Sequence, residues 1–530
     1  MVLLLAVIAL IAAYFLNFKV VILLCVLGIG YYLYLRHRCN YFATRNIPQP
    51  PVTSYFLGNL YDLEKDGAQM DRLREWDTKY GKIFGIMEGS HRVIVTSDVN
   101  ILHEVFIKQF PTFQSRKIHA TFVIDQKSDP RLNLFLAEGK KWKRLRGLIT
   151  SALTVKKIKQ IDPIIKQATH ELLDYVRGNR VEHNLNIQPT LLDASFAVIA
   201  RSVLGIHEKM GESKYIGEVL EALSMKETSK SWIKSFFAGT YEFRIVTRFL
   251  HFLTLLTSIG AILRLRSKCE QMIIIRERET SEDKEKRQQD FIDFLRESQE
   301  EIDTTGDSNL MLREPKKLTR EEVIGTALLF LIAGGDTTSN LTGFCLYELA
   351  KHPEYQYMIL QEIKDCIENE DDINYTSIKE LSFLDRFTKE VSRMHPVGFP
   401  VLARRAVETT ILPHPNGGTF EIEKGVCIFA NAPVIHMDKE IWGEDAGKFD
   451  PDRFLPENSK DRHPMALLTF GAGPRICPGK NLAVYEVKHF IVYLLREFKI
   501  EMNNETKLNE ITRTLLCPET MNLSFIPWNL

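Results

Sequence analysis

Phe470-Gly471-Ala472-Gly473-Pro474-Arg475-Ile476-Cys477-Pro478-Gly479 sets one cysteine in a glycine-rich loop, two residues after an arginine. A run with helical apolar spacing follows at once, at Ala483, Val487, Phe490, Ile491 and Leu494. A thiol must lose its proton to ligate a metal, and a helix N-terminus with a cation nearby lowers its pKa. Gly471, Gly473 and Gly479 let the backbone approach a flat cofactor and turn N–H groups toward the sulfur. A lone loop cysteine is ordinarily structural. This one stands in a fixed pattern with Phe470, Gly473, Arg475 and Gly479.

Outward from that loop, the 530-residue chain has no internal repeat and no Gly/Ser linker that would divide it. Its most polar stretch, Thr280 to Gln289, reads as a solvated loop. Lys+Arg and Asp+Glu both number 68, so no global field points to nucleic acid. The eight cysteines are scattered, without a C-x-x-C pair or zinc-like grouping, which suits a reducing compartment.

Val2 to Leu35 is almost wholly apolar, broken only by Asn17 and Lys19. As one helix it would rise about 50 Å, more than the roughly 30 Å of a bilayer core. One tilted span with an interfacial extension is the preferred reading. Two short segments hinged near Asn17-Phe18-Lys19, or a cleaved signal peptide, are its rivals. Arg36 and Arg38 follow directly and put the residues after the run in the cytosol. Ile47-Pro48-Gln49-Pro50-Pro51 is a stiff segment that stops the helix and fixes its exit direction. The implied division is an anchor over 1–35, a basic, proline-rich hinge over 36–60 and one globular domain over 61–530.

Leu318-Thr319-Arg320-Glu321-Glu322 has the form of a capping box and opens an apolar run to about Leu349. Gly334-Gly335-Asp336-Thr337-Thr338-Ser339-Asn340 interrupts it. That polarity is costly in lipid, so the run predicts a long core helix with a functional break. Two adjacent glycines cost about 1 kcal/mol each in a helix. Close approach of a ligand explains them, and a packing kink is the plainer account.

Two residue pairs stand at helical spacing. Glu390 and Arg393 share a face, ordinarily as a solvated bridge worth well under about 1 kcal/mol. Trp142 and Arg146 form W-x-x-x-R on another helix, flanked by Lys140, Lys141, Lys143 and Arg144. Those cations are either a solvated basic surface or a docking patch for an acidic electron donor.

The ordered set resembles the cytochrome P450 family over nearly the whole chain. The cysteine loop is similar to its haem-binding loop, and Ala333-Gly334-Gly335-Asp336-Thr337-Thr338 to its oxygen-activation motif. Glu390-x-x-Arg393 and Pro451-Asp452-Arg453-Phe454 match its E-x-x-R and P-E/D-R-F, and the proline segment with Gly58-Asn59-Leu60 resembles its microsomal linker. The resemblance implies a mainly α fold with small β-sheets (α+β), a single large domain behind an anchor, and one haem b. It implies Cys477 as the axial thiolate of the haem iron, with Phe470 packed beside the sulfur. It gives Arg475, Trp142 and Arg146 to the haem propionates, and with them Arg116 and Arg404, the last with Arg405 as the alternative match. Thr337 would order a water where dioxygen is split, and Asp336 would feed protons from solvent, because releasing water needs two. Glu390, Arg393 and Arg453 would form a buried structural triad with no catalytic role.

The implied function is an O2-dependent monooxygenase of a lipophilic small molecule, such as a xenobiotic, a steroid or a fatty-acid-like compound. The chain ends soon after the cysteine loop, so electrons are expected from a separate NADPH–cytochrome P450 reductase, with cytochrome b5 as an optional further donor. The expected location is the endoplasmic reticulum membrane, with the catalytic domain facing the cytosol. The spacing resembles the animal microsomal clan of broad drug and steroid oxidisers, a nematode branch among the placements. Rival readings are a haem-thiolate isomerase of lipid peroxides, a non-catalytic haem-binding membrane protein and a haem-free membrane-tethered scaffold. Phe236 to Leu263 is either a core helix or an amphipathic segment that dips into the bilayer over the substrate entrance. Ala333 and Val397 to Pro400 are the candidate substrate contacts.

Overall fold

Helix α1 (Phe18–Cys39) has no acid in its first turn and ends on Arg36, His37 and Arg38, whose charge complements the negative helix end. Its apolar side chains, Leu27 and Ile29 among them, are exposed, and it is long and apolar enough to cross a membrane. The computed structural model describes residues 18–65, 68–117, 126, 132–179, 184–213, 216–223, 258–285, 287, 289–297, 318–415, 417–512 and 515–528. The apolar run before residue 18 and the proposed bilayer-dipping segment, apart from 258–263, lie outside them.

The end of α1 is not free. Leu35, Arg38, Cys39 and Phe42 are buried at i, i+3, i+4, i+7 spacing, so one face of the last turns meets protein. Arg38 Nη2 donates to the carbonyls of Tyr55 (3.1 Å) and Phe56 (3.3 Å), and Gln49 Nε2 donates to the Cys39 carbonyl (2.9 Å). A Cβ on Gly85 would lie 2.1 Å from the buried Phe42 ring. The stretch expected to act as a hinge is therefore packed on the body. The helix ends at Cys39, ahead of the prolines, where Phe42 turns inward.

Five further helices position the site: α2 (Gly139–Ala152), α3 (Asp162–Asn179), α4 (Gln188–Ile199), α5 (Arg320–Lys351) and α6 (Ser382–Met394). Helix α7 (Lys480–Glu497) follows the cysteine loop. Helices α3, α4, α5 and α7 pack together at the centre of one contiguous apolar core. A four-stranded sheet flanks it, from β1 (Ile83–Glu88), β2 (His91–Thr96), β3 (Ala403–Arg405) and β4 (Cys427–Ala430), in the order β1-β2-β4-β3. β2 and β4 run parallel with Val95 opposite Phe429, and β3 pairs antiparallel with Ala403 opposite the same residue. A small hairpin, β5 (Glu510–Thr512) with β6 (Leu516–Pro518), lies near the C-terminus.

Thr319 and Glu322 cap α5 reciprocally: the Glu322 N–H donates to Thr319 Oγ1 (3.3 Å) and the Thr319 N–H to Glu322 Oε2 (3.0 Å). Helix α5 then runs unbroken through the polar run, where the sequence predicts a break. Thr337 Oγ1 donates to the Ala333 carbonyl and Thr338 Oγ1 to the Gly334 carbonyl, both at 2.8 Å, so the helix satisfies these hydroxyls itself. The paired glycines serve helix packing. A Cβ at Gly334 would sit 2.5 Å from Ile199 Cδ1, and one at Gly335 would sit 3.3 Å from Phe196, both on α4. Gly334→Ala should therefore cost about 1–3 kcal/mol by overpacking. The same change on an Ile199→Ala background should be neutral or stabilising, because the methyl enters vacated space and alanine favours the helix. Thermal unfolding of the four proteins in the cycle measures this.

Candidate functional site

The cysteine loop is shaped by one glycine that no other residue can replace. Gly473 sits at φ +66°, and a Cβ there would lie 2.0 Å from the Phe106 carbonyl oxygen. Gly473 to Arg475 form a 3₁₀ turn, after which the Cys477 N–H donates to the Phe470 carbonyl (2.9 Å). Burial pushes the Cys477 thiol up, against the N–H groups of Gly479 and Lys480 and the charges of Arg116 and Arg146. This corrects the expectation of a lowered thiol, because desolvation outweighs the helix end and the cations. The nearby charges are also not that of Arg475, which turns away to donate to the carbonyls of Phe135 (3.4 Å) and Ala137 (2.5 Å). A coordinated metal would supply what is missing, since it deprotonates a thiol outright.

Beside the loop, positive charge gathers with no ion-paired carboxylate among the described residues, although Glu138 lies near enough to act on Arg475. Arg116 donates only to the carbonyls of Val401 (3.3 Å) and Arg475 (3.4 Å), and Arg404 to that of Ala403 (3.0 Å). The Nε atoms of Arg116, Arg404 and Arg475 are buried and have no partner among the described residues. Burial, then mutual repulsion, pulls Arg404 well below its ordinary value. The same causes bring Arg475 to about 9, while burial brings Arg116 to about 10. Arg146 joins the cluster by donating to the Ile476 carbonyl (2.6 Å). Trp142, on the same face of α2, is buried under the Arg475 guanidinium at 4.7 Å.

These residues fit a flat group that carries carboxylates: a sulfur for its metal, unpartnered guanidinium atoms for its anionic edge and a glycine loop for close approach. The choice between Arg404 and Arg405 follows from the alternation of β3. Arg404 points into the cluster, whereas Arg405 pairs with Glu138 Oε1 (2.5 Å).

On the central helix, Ala333 is exposed and Asp336 and Thr337 are half-buried, an open strip in a helix most of whose residues are buried. Glu390 and Arg393 form a fully buried pair with two 2.7 Å bonds. Arg453 Nε approaches the same carboxylate (3.6 Å), and the Asp450 N–H donates to it (2.9 Å). Arg393 Nη1 also donates to the carbonyls of His436 (2.6 Å) and Ala446 (2.8 Å). His436, in no sequence motif, carries this scaffold to the loop. Its Nδ1 faces the Arg393 carbonyl (3.0 Å), and its Nε2 accepts from the Leu468 N–H (3.0 Å), two residues before Phe470. Burial holds His436 at about 3, so it stays neutral as this arrangement requires.

The basic helix face is smaller than its composition suggests. Lys140 and Lys143 are exposed and Lys141 is half-buried. Arg144 instead pairs with Glu322 in the first turn of α5 and so cross-links two helices.

The chain matches the family model for Cytochrome P450 over residues 48–524. It is similar to three proteins of Caenorhabditis elegans. With cytochrome P450 cyp-13B1 it is 32% identical, across 94% of this chain and 97% of the relative. With cytochrome P450 CYP13A10 it is 28% identical, across 93% and 96%. With cytochrome P450 CYP13A1 it is also 28% identical, across 94% and 97%.

Glu390→Ala leaves the fully buried Arg393 guanidinium without its carboxylate, while Arg453 keeps Asp445 (2.9 Å), and should cost about 3–5 kcal/mol. Differential scanning calorimetry should show that loss. His436→Ala should lower stability less but loosen the loop, seen as faster amide exchange at Leu468 and Cys477.

Proposed function

The chain belongs to the cytochrome P450 family, and from that premise we propose a membrane-anchored monooxygenase that uses O2 and reductase-delivered electrons to oxidise a lipophilic small molecule. Family membership makes the chain a haem-thiolate oxidoreductase with haem b, a redox partner and a small-molecule substrate. The observation that carries the finer reading is the cluster of arginines beside Cys477 whose buried Nε atoms have no partner among the described residues.

Cys477 would hold the iron, with Phe470 beside the sulfur, and Arg116, Arg146, Arg404, Arg475 and Trp142 the two propionates. Haem bound there supplies the electron transfer and dioxygen activation that no side chain can. Thr337 commits its proton to the Ala333 carbonyl, which leaves its oxygen lone pairs to accept from a water. Asp336, one residue before and half-buried, would pass protons from solvent to that water. Glu390, Arg393 and Arg453 hold the loop and take no part in the chemistry.

Ala333 and the stretch Val397 to Pro400 would contact substrate. Val397 and Phe399 are buried apolar side chains, which supports a lipophilic ligand. Lys140 and Lys143 would meet an acidic donor, an NADPH–cytochrome P450 reductase with cytochrome b5 as an optional second. Helix α1 supports anchoring, with 1–35 as the anchor, 36–60 as a fixed connection and 61–530 as the catalytic domain on the cytosolic side of the endoplasmic reticulum.

The dithionite-reduced carbon-monoxide difference spectrum tests the reading. A strongly red-shifted Soret band is expected in the wild type and absent in Cys477→Ala; a folded wild type without haem overturns it. Thr337→Ala should keep that band and lower product formed per NADPH consumed by about 100-fold. Lys140→Glu with Lys143→Glu should slow first-electron reduction at low salt and lose that effect at high salt.

A further inference from the structure

His395 lies at the C-terminal end of α6, just beyond the E-x-x-R pair, and is buried. Both ring nitrogens meet carboxylates. Nε2 is 3.0 Å from Glu348 Oε1 on α5, and Nδ1 is 2.5 Å from Glu510 Oε1 on β5. The ring stacks on Phe344 of α5 with centroids 4.5 Å apart and planes 4° from parallel. A neutral imidazole has one donor and one acceptor, so it can satisfy one of these carboxylates but presents a lone pair to the other. The imidazolium donates to both.

The clip has a mechanical consequence. Two residues on, the Val397 carbonyl accepts from the Leu516 N–H of β6 (3.0 Å), and the Val397 N–H donates to the His395 carbonyl (2.9 Å). The β5–β6 hairpin is thus tied at two points, through Glu510 to the His395 ring and through Leu516 to Val397. Glu348 ties the ring in turn to the helix that carries Asp336 and Thr337. We propose that His395 is a positioning residue that clips the β5–β6 hairpin to α5 and thereby sets the place of the Val397–Pro400 wall against the substrate. This rests on the reading of that wall as a substrate contact.

The charged and titratable groups facing the clip are few. Glu348 also receives His352 Nε2 (3.4 Å) and Lys351 Nζ (3.7 Å), and the Cys345 thiol and Tyr347 lie close to it. Glu510 adds the remaining carboxylate, itself near Tyr347, and His352 meets Glu354 (3.4 Å). Burial alone would lower His395, but the bonds and charges of Glu348 and Glu510 outweigh it and raise it. Burial would likewise raise Glu348, yet bonds from His352 and His395, with the charges of His395 and Lys351, hold it at about 2. The clip is therefore complete below the ordinary histidine value near 6.5 and is lost as pH rises through the higher folded value. On the acid side, the Glu348 arm of the clip holds until the pH falls toward 2.

The test uses the full-length haem-loaded protein in nanodiscs, with His395→Phe and Glu510→Gln. The first keeps an aromatic stack but neither bond. The second changes a partly exposed carboxylate, and so remains informative if the first fails to fold. Two quantities are read: the amide-exchange protection factor at Leu516, and the affinity for 1-phenylimidazole from its Soret shift. We expect at least a tenfold loss of protection in either variant at pH 7, a similar loss in the wild type at high pH, and several-fold weaker binding. Unchanged protection overturns the clip. Lost protection with unchanged affinity overturns the positioning role and separates it from the haem assignment, which the carbon-monoxide band reports on its own.

Discussion

Positive charge gathered beside the Cys477 loop, with no ion-paired carboxylate among the described residues, is the constraint around which this structure is organised. Arg404 and Arg475 are buried and Arg116 half-buried beside them; burial and neighbouring arginines lower their proton affinity, and their Nε atoms have no partner among the described residues. A folded chain can hold such a cluster only at a cost in self-repulsion and desolvation. A ligand with two carboxylates removes both terms at once. Haem binding is then linked to folding: the apoprotein stores the penalty, and the ligand stabilises the native state in proportion to ln(1 + L/Kd), where L is its free concentration.

The loop that offers Cys477 depends on a second buried charge system of opposite design. Glu390 and Arg393 neutralise each other, and the remaining guanidinium donors go to carbonyls of the segment over 436–448. His436 then passes position, not charge, from that segment to the loop through a single backbone N–H. One arginine cluster has side-chain atoms without partners among the described residues, and the other is closed so that the Cys477 loop is held by backbone geometry.

Much of this was legible in the sequence because it is local. The capping box at Thr319 and Glu322, the helix after Gly479 and the shared face of Trp142 and Arg146 all follow from spacing within one element. What misled depends on what lies across from a residue. Gly334 and Gly335 announce close approach in the sequence but not by what; the answer is Ile199 and Phe196 of a neighbouring helix. Arg144 looked like its lysine neighbours until Glu322, distant in sequence, took its charge. Proline content suggested a hinge at 47–51, whereas Phe42 against Gly85 and Arg38 over two carbonyls fasten that region. The thiol is governed by desolvation, a property of the fold that no motif encodes. His436 and His395 lie in no recognisable pattern and become informative only through their partners.

The fastening of α1 turns it into a lever. A membrane span on a loose tether can change its tilt without moving the domain outside. Here Arg38, Cys39 and Phe42 continue the helix face into the body, so a change of tilt is delivered to the whole protein. Spanning helices adjust to hydrophobic mismatch mainly by tilting, at fractions of about a kcal/mol per Å of thickness difference. With α1 in the bilayer, membrane thickness becomes a mechanical input. A thicker or thinner membrane would then lean the domain as one body against the bilayer plane.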